Sequence, residues 1–232
     1  MGFSKIGIIG AMVEEIELLH QHVQVTGKVT KAGITYHEGT WHGKLVIYCK
    51  SGVGKVNAAV CTQIMIDLGA DCVWFTGVAG AVDPQLNIGD IVVSTSCVQH
   101  DMDCSPLGFA RGVIPYHDRS EFIADERLVE LASNASERLF SGRSLAGKVL
   151  SGDQFIASRE VVHMLYDTMQ GACAEMEGAS VAQVCDMNEI PFVVIRSMSD
   201  KADGSAHVNF AEFTIQASNN SYLIIDDMLK NI

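Results

Sequence analysis

The run Phe192–Ile195 restricts the possible folds of this chain more than any other segment does. It is a continuous β-branched and aromatic run, which is typical of a strand buried on both faces. The polar residues Arg196, Ser199 and Asp200 follow it directly, and Gly204 is predicted to close the loop. Open α/β sheets bind ligands at the carboxyl ends of their strands, so this stretch predicts a ligand site. Asp is also a preferred helix N-cap, which leaves a purely structural role open for Asp200.

The same order of buried strand, polar loop and helix recurs along the chain. Strands are predicted at 5–10, 71–76, 149–151 and 172–174, a turn and strand at 87–95, and a β-meander at 27–48. Helices are predicted at 13–23, 55–68, 124–140, 178–184 and 209–229. No linker or repeat interrupts this order, so 232 residues fit one large α/β domain over 1–232. The candidate residues just past the predicted strand ends should converge on one crevice; they are Glu15, the glycines within 77–80, Phe155, Glu177 and Asp200.

Two acidic pairs are the next candidates. Glu175 and Glu177 lie where a buried strand meets a helix of small residues. Burying two carboxylates is costly unless they hold something, so this pair strongly indicates a binding site. Glu14 and Glu15 begin the first helix, where the macrodipole alone also favours acidic side chains. The glycines within 77–80 let the backbone approach a ligand closely, or they form a tight turn.

Charge and cysteine content narrow the classes of partner. Sixteen basic and 28 acidic residues give a net charge of −12, which argues against nucleic acid or an anionic membrane as partner. The first ten residues lack the layout of a signal peptide, and no segment reaches the roughly 18 apolar residues of a membrane span. The seven cysteines are scattered without a C-x-x-C pair, so we expect reduced thiols in a cytoplasmic protein.

Two further segments suggest weaker hypotheses. The sequence H-D-M-D at 100–103 has no Cys or second His at metal-ligand spacing, so we expect no metal site there. His100 and His207 are expected to be structural or to lie at the rim of a site. The segment 105–116 is irregular and is predicted to expose Leu107 and Phe109, which is typical of a loop that covers a pocket or packs on a partner subunit.

Six motifs in a fixed order now identify a family resemblance. They are G-I-I-G-A-M-V-E-E, S-G-V-G-K-V-N-A-A, N-I-G-D-I-V-V-S, S-G-D-Q-F-I, A-E-M-E-G-A and P-F-V-V-I-R-S-M-S-D. Over essentially its full length the chain resembles the 5′-methylthioadenosine/S-adenosylhomocysteine nucleosidases, within the purine nucleoside phosphorylase-like fold. The resemblance implies a three-layer α/β/α structure with a central mixed, twisted sheet. It also implies a homodimer that binds a small adenine nucleoside and needs no cofactor.

The resemblance also implies roles for individual residues. Asp200 would be the general acid at adenine N7, and Glu15 would hold and activate the attacking water. Glu177 would bind the ribose hydroxyls, with Met176 beneath the sugar. Phe155 would stack on adenine, and the Ile156 backbone would contact the edge of the base. Met12, Val53 and Phe210 would surround the 5′ substituent, together with Leu107, Phe109 and Pro115 of the partner chain. Glu175, Val78 and Ser199 would lie elsewhere in the substrate site. Val78 replaces the Ser or Thr that the family usually has in T-G-x-A-G.

The implied reaction is hydrolysis of the N-ribosidic bond of methylthioadenosine, S-adenosylhomocysteine and 5′-deoxyadenosine, in methionine salvage. A phosphorylase on the same fold would need cations around phosphate, whereas Glu14 and Glu15 would repel it. The residues are also compatible with an aminofutalosine nucleosidase or a non-catalytic nucleoside sensor, although mere binding needs neither an acid nor a base. Arg196 would position the acid Asp200 or form a structural ion pair.

Overall fold

A mixed β-sheet organises the protein, which a computed structural model describes over residues 2–202 and 206–232, with the backbone alone at 206–209. The strands are β1 (Ile6–Gly10), β2 (Gln24–Lys31), β3 (Ile34–Trp41), β4 (Lys44–Lys50), β5 (Cys72–Ala81), β6 (Ile91–Gln99), β7 (Glu121–Ile123), β8 (Ser144–Ser151), β9 (Gly171–Glu175) and β10 (Phe192–Asp200). The helices are α1 (Val13–His22), α2 (Lys55–Asp67), α3 (Glu126–Leu139), α4 (Arg159–Met169), α5 (Gly178–Met187) and α6 (Ala206–Asn231). The predicted turn at Gly204 and the side chain of His207 lie outside the described residues.

The sheet curls back on itself at one side. Strand β5 pairs in parallel with β1 and β10, and β10 continues through β6 and β8 to β9. The end of β9 then pairs antiparallel with the end of β5, where Gly80 lies opposite Ala174. This closure brings the carboxyl ends of β5, β9 and β10 to the same place. The meander β2–β3–β4 extends the sheet on the other side of β1.

Helices cover both faces of the sheet, which confirms the predicted three-layer α/β/α architecture. One apolar core joins the sheet to α2 and α5, through residues such as Met65 and Val181. The opposite core joins it to α1, α3 and α6, through residues such as Leu19, Leu128 and Ile225. Helix α4 covers a smaller cluster beside β8. None of the described helices has the length and apolar character that crossing a membrane requires.

Two boundaries differ from the sequence predictions in a way that matters for the site. The glycines within 77–80 were predicted to follow a strand, but they belong to β5. The polar residues after Ile195 were also predicted to lie beyond their strand, but β10 continues to Asp200. The two extensions pair with each other, with Arg196 opposite Gly77 and Asp200 opposite Gly80. Tertiary pairing therefore overrides the weak strand propensity of these residues.

The other differences are smaller. Strand β7 and helix α4 lie outside the sequence predictions, although the meander and the remaining helices are present near their predicted positions. Helix α3 begins at Glu126, because the Asp125 carboxylate accepts hydrogen bonds from the backbone N–H groups of Arg127 and Leu128 as its N-cap.

Candidate active site

A cavity of about 310 Å³ opens where β1, β5, β9 and β10 end. Its described lining consists of Ala11, Met12, Glu15, Val53, Val78, Ala79, Gly80, Gln154, Phe155, Ile156, Ala174, Glu175, Met176, Glu177, Ser199, Asp200, Ala202 and Phe210. The sequence-predicted residues of the single-chain site all line it except Arg196, which lies behind the wall. Four of the lining residues are carboxylates, and none of those that the structure describes is Lys, Arg or His.

Glu15 is fixed by the strand-to-helix junction that carries it. It lies in the first turn of α1 and is only 5% exposed. Its Oε2 accepts hydrogen bonds from the backbone N–H groups of Ala11 (2.6 Å) and Met12 (2.9 Å), and its Oε1 accepts one from Val78 (3.0 Å). Burial raises the pKa of Glu15, against the opposing effects of Arg196 and these backbone donors. The contact with Val78 uses its backbone N–H, so it needs no hydroxyl at that position.

Arg196 is the buried cation of the site. Its guanidinium is 1% exposed, donates to Glu175 Oε2 at 2.5 Å and lies over the Phe75 ring at 4.0 Å from the centroid. Its Nε and Nη1 have no hydrogen-bond partner in the described residues. Burial opposes the charge of Arg196, but Glu175, Glu15 and Glu177 raise its pKa. The structure therefore supports the structural ion pair for Arg196 rather than a role in positioning Asp200.

Several hydrogen bonds from within the protein hold the carboxylate of Glu175. Besides Arg196, its carboxylate accepts hydrogen bonds from the Ser151 hydroxyl and from the backbone N–H groups of Glu177 and Gly178, which begin helix α5. Ser151 also accepts a hydrogen bond from the Ala179 backbone N–H at 2.7 Å. Although Glu175 lines the cavity, these contacts favour a role in holding Arg196 and the start of α5.

Glu177 has fewer internal partners and remains available to a ligand. The Gly54 backbone N–H donates to its Oε1 at 2.8 Å, across 123 positions of the chain. Burial, followed by the nearby charge of Glu175, raises the pKa of Glu177 to about 8. A carboxyl group with this pKa can both donate and accept hydrogen bonds near neutral pH, which suits a pair of hydroxyl groups.

Asp200 is the last residue of β10 and lines the cavity. It is 2% exposed, its Oδ2 accepts a hydrogen bond from the Ser199 hydroxyl (2.9 Å) and its Oδ1 accepts one from the Ala202 backbone N–H (2.7 Å). A Cβ atom at Gly80 would lie 2.8 Å from Asp200 Oδ1. The glycine therefore leaves room for this carboxylate.

Aromatic and apolar side chains form the rest of the wall. Phe155 is 50% exposed and meets Phe210 edge to face, with ring centroids 5.7 Å apart. Met12, Val53 and Met176 also contribute. Such a wall suits a flat, largely apolar group better than an ion.

The residues predicted to come from a partner chain do not line the cavity of their own chain. Leu107 is 68% exposed. Phe109 was predicted to be exposed, but it is partly buried because its ring packs edge to face on Tyr116 at 5.8 Å. Glu14 is also exposed and absent from the cavity lining, so only Glu15 of that pair faces the site.

Several contributors were not predicted from the sequence. Gln154 lies in the cavity wall, Ser151 holds Glu175, and Gly54 holds Glu177. All three belong to motifs that carry the family resemblance, which was the available signal. Phe75 beneath Arg196 had no signal, because its sequence context is that of an ordinary core residue. No group of three or more His, Cys, Asp or Glu side chains within 2–202 and 210–232 is arranged to hold a metal ion.

Comparison with known proteins places this chain in a family. The phosphorylase superfamily matches residues 5–230. The curated 5′-methylthioadenosine/S-adenosylhomocysteine nucleosidase of Tolumonas auensis is 38% identical over 230 residues, covering 98% of this chain and 100% of the relative. The corresponding Staphylococcus saprophyticus protein is 37% identical, with the same coverage of 98% and 100%.

Solved structures agree with this assignment. The nucleosidase of the same name from Neisseria meningitidis, in complex with methylthio-immucillin-A, has a TM-score of 0.93 at 36% identity and covers 99% of this chain and 100% of its own. A futalosine hydrolase of Helicobacter pylori has a TM-score of 0.94 at 35% identity, with coverage of 99% and 98%. The chain thus belongs to the 5′-methylthioadenosine/S-adenosylhomocysteine nucleosidases of the phosphorylase superfamily.

Proposed function

We propose that this protein hydrolyses the N-ribosidic bond of 5′-methylthioadenosine and S-adenosylhomocysteine, releasing adenine and the 5′-thioribose. The cavity carries four carboxylates, with no cation among its described lining residues, and this observation supports hydrolysis most directly. An N-ribosidic bond breaks through an oxocarbenium-like state, which nearby carboxylates stabilise. Phosphorolysis would instead bring a dianion next to these groups.

Asp200 suits the part of the general acid. When it gives its proton to adenine N7, the bond to the sugar breaks and adenine leaves as a neutral molecule. The Ser199 hydroxyl and the Ala202 N–H already point at the carboxylate oxygens. They would stabilise the negative charge that remains on Asp200 after the transfer.

Glu15 suits the part of the residue that holds the attacking water. Gly77, beside Glu15, and Gly80, beside Asp200, are three residues apart in β5. Both carboxylates line the same cavity, so a sugar bound there can face the acid and the water-holding residue together. Water would add to the anomeric carbon and lose a proton to Glu15, which gives the free hemiacetal.

Different residues of the cavity suit different parts of the substrate. Phe155 suits stacking on adenine, with the Ile156 backbone at its edge, and Glu177 suits the ribose diol with Met176 beneath it. Met12, Val53 and Phe210 would surround the 5′ substituent. The futalosine hydrolase similarity adds an aminofutalosine nucleoside to the substrates worth testing, together with 5′-deoxyadenosine.

A homodimer would complete the site. The apolar loop residues Leu107, Phe109 and Pro115 lie away from the cavity of their own chain, and Leu107 is largely exposed. Val56 on α2, three positions after the cavity-lining Val53, is also exposed. Such a surface is typical of a subunit interface, so we propose that the loop closes the 5′ pocket of the partner subunit.

The cellular setting is proposed on chemical grounds. All seven cysteines lie in the described part of the chain and are free thiols, as expected of a protein in the reducing cytoplasm. The two substrates are by-products of S-adenosylmethionine use, so the reaction would serve methionine salvage.

The test is adenine release from methylthioadenosine, S-adenosylhomocysteine, 5′-deoxyadenosine and aminofutalosine, each with and without phosphate. We expect a phosphate-independent rate and the free hemiacetal as sugar product. A ribose 1-phosphate as the main product would refute the proposed reaction.

Variants separate the two carboxylates. Asp200→Asn cannot give a proton and should lose about 10²–10⁴-fold in kcat. Glu15→Gln should also be nearly inactive, whereas Glu14→Gln is the matched control, because Glu14 lies outside the cavity. A nucleoside whose base leaves without protonation should partly rescue Asp200→Asn and not Glu15→Gln. Equal rescue of both variants would contradict the assigned roles.

A further inference from the structure

Two motif segments that are distant in sequence meet at one point beside the cavity. The Lys55 backbone N–H, at the start of α2, donates to Asp153 Oδ1 at 2.8 Å. Asp101 accepts from both segments, since its Oδ1 takes the Lys55 ammonium at 2.6 Å and its Oδ2 takes the Asp153 backbone N–H at 3.0 Å. We call Lys55, Asp101 and Asp153 the Asp153 network.

The Asp153 network adjoins both halves of the substrate site. Gly54, next to Lys55, donates its N–H to Glu177. Phe155, the aromatic residue of the cavity wall, follows Asp153 by two positions. A shift of this network would therefore move the donor to Glu177 and the loop that carries Phe155.

Asp153 also lies close to Gly54, at a position where only glycine is readily accommodated. The Gly54 φ of 98° is a conformation that side chains rarely adopt, and a Cβ atom there would lie 3.1 Å from Asp153 Oδ1. The Asp153 carboxylate thus lies close to the residue that donates to Glu177, and it accepts the first amide of α2. Because the Gly54 carbonyl and the Lys55 N–H belong to one peptide plane, this hydrogen bond restrains the backbone on the carbonyl side of Gly54.

Two members of the network, Lys55 and Asp101, are shielded from solvent, whereas Asp153 itself is exposed. The Lys55 and Asp101 side chains are 18% and 17% exposed, and Lys55 also donates to Gln99 Oε1 at 3.1 Å. Burial opposes ionisation of Asp101, but the hydrogen bonds from Lys55 and the Asp153 backbone hold its pKa below the ordinary value. A charged, hydrogen-bonded network of this kind keeps one geometry.

We propose that Asp153 is a positioning residue for sugar recognition. By holding the first amide of α2, it sets the Gly54 N–H that orients Glu177 toward the ribose hydroxyls. The inference rests on the proposed function, in which Glu177 binds those hydroxyls.

The experiment compares kcat/KM for methylthioadenosine and its 3′-deoxy analogue. The ratio of the two values measures recognition of the diol. Asp153→Ala should lower this ratio by up to about tenfold, the upper range of the effect of one misplaced hydrogen bond. Asp153→Asn should retain it, because an Asn oxygen serves an N-terminal amide as well as Asp does. Glu177→Gln should lower the ratio at least as much as Asp153→Ala.

Asp125→Ala is the matched control. Asp125 caps α3 with hydrogen bonds from Arg127 N and Leu128 N, both at 3.1 Å, and does not line the cavity. The variant should lower the melting temperature and leave the ratio unchanged.

The outcomes distinguish the inference from the function on which it rests. If Glu177→Gln keeps the wild-type ratio, the proposed sugar contact is wrong, and the inference falls with it. If Glu177→Gln lowers the ratio but Asp153→Ala keeps the wild-type ratio, only the positioning role is overturned, even when Asp153→Ala lowers kcat/KM for both substrates. Should Asp153→Ala not fold, Asp101→Asn decides, since it has one acceptor oxygen for two donors; a lower ratio supports the proposal and a wild-type ratio overturns it.

Discussion

Replacing Arg196 with Met should destabilise the protein in a pH-dependent way. The guanidinium is 1% exposed and pairs with Glu175 at 2.5 Å, and its charge lowers the pKa of both Glu15 and Glu177. Met fills a similar volume and can still lie against the Phe75 ring. The substitution therefore removes mainly the charge and its hydrogen bond.

The expected loss follows from leaving a carboxylate buried without its cation. Breaking a buried ion pair by removing one partner costs about 3–5 kcal/mol. For a chain of this size, 1 kcal/mol corresponds to about 2–4 °C, so the melting temperature should fall by roughly 6–20 °C. A surface pair would cost only about 0–1 kcal/mol.

The pH dependence has a definite sign. Burial raises the pKa of Glu15 and Glu177, and Arg196 opposes that rise, so its loss should raise both pKa values further. A carboxyl group with a folded pKa above its unfolded value binds an extra proton in the folded state, so stability falls as pH rises. The pKa of Glu177 is already about 8 in the wild type. The loss of stability of the variant relative to the wild type should therefore grow as the pH rises above 8.

Thermal unfolding at pH 6 and pH 9 tests this reasoning. The control is Arg143→Met, which removes a pair with Asp90 at 3.0 Å in which the arginine side chain is 48% exposed. We expect a large deficit for Arg196→Met that is greater at pH 9 than at pH 6, and a small one for Arg143→Met at both. A deficit within 1 kcal/mol of the control, or one that shrinks at high pH, would refute a buried charge cluster.

Three further results are expected. The wild-type melting temperature should fall between about pH 5 and 8, since the folded pKa of Glu177 is about 8 and its ordinary value 4.5; Glu177→Gln should show a shallower slope, and an unchanged slope would contradict the shift. Gly77→Ala should abolish adenine release, because a Cβ atom would lie 2.5 Å from Arg196 Nη1 and closer still to Glu15 Oε1; full activity would show that these groups move freely. Sedimentation should show a dimer, whose interface we expect to bury about 800 Å² or more per partner; Leu107→Glu should weaken the dimer and lower activity, whereas a fully active monomer would exclude a shared site.

The sequence predicted the strands that consist of apolar runs and failed where strand and site coincide. Phe192–Ile195 was predicted as a buried strand, as observed, but its continuation contains a fully buried arginine. Arginine is almost never fully buried unless it is paired, and no local pattern reveals a pair with Glu175, 21 positions away. Helix α4 is different, since Val161, Val162 and Leu165 recur at helical spacing and could have predicted it.

The residues of the candidate site could be selected from the sequence, but the contacts between them could not. The family resemblance selected residues that the fold brings to one cavity, whereas their mutual contacts depend on strand register. The hydrogen bond from Gly54 to Glu177 joins residues 123 positions apart, and such a distance leaves no periodicity to detect. The contacts of Leu107 cannot be derived from a single chain, because its partner is expected in another subunit.

Register also explains how one pair of strands presents two different chemical groups. Strands β5 and β10 run parallel, with Arg196 opposite Gly77 and Met198 opposite Ala79, but Asp200 rather than Ser199 lies opposite Gly80. The extra residue is a bulge, which re-aims a side chain at the cost of one unpaired position. Without the bulge, Ser199 would lie opposite Gly80, and the carboxylate would move one position along to Ala81, which has a Cβ atom. The bulge therefore brings Asp200 opposite the residue that leaves room for it, while Gly77 does the same for Arg196 and Glu15.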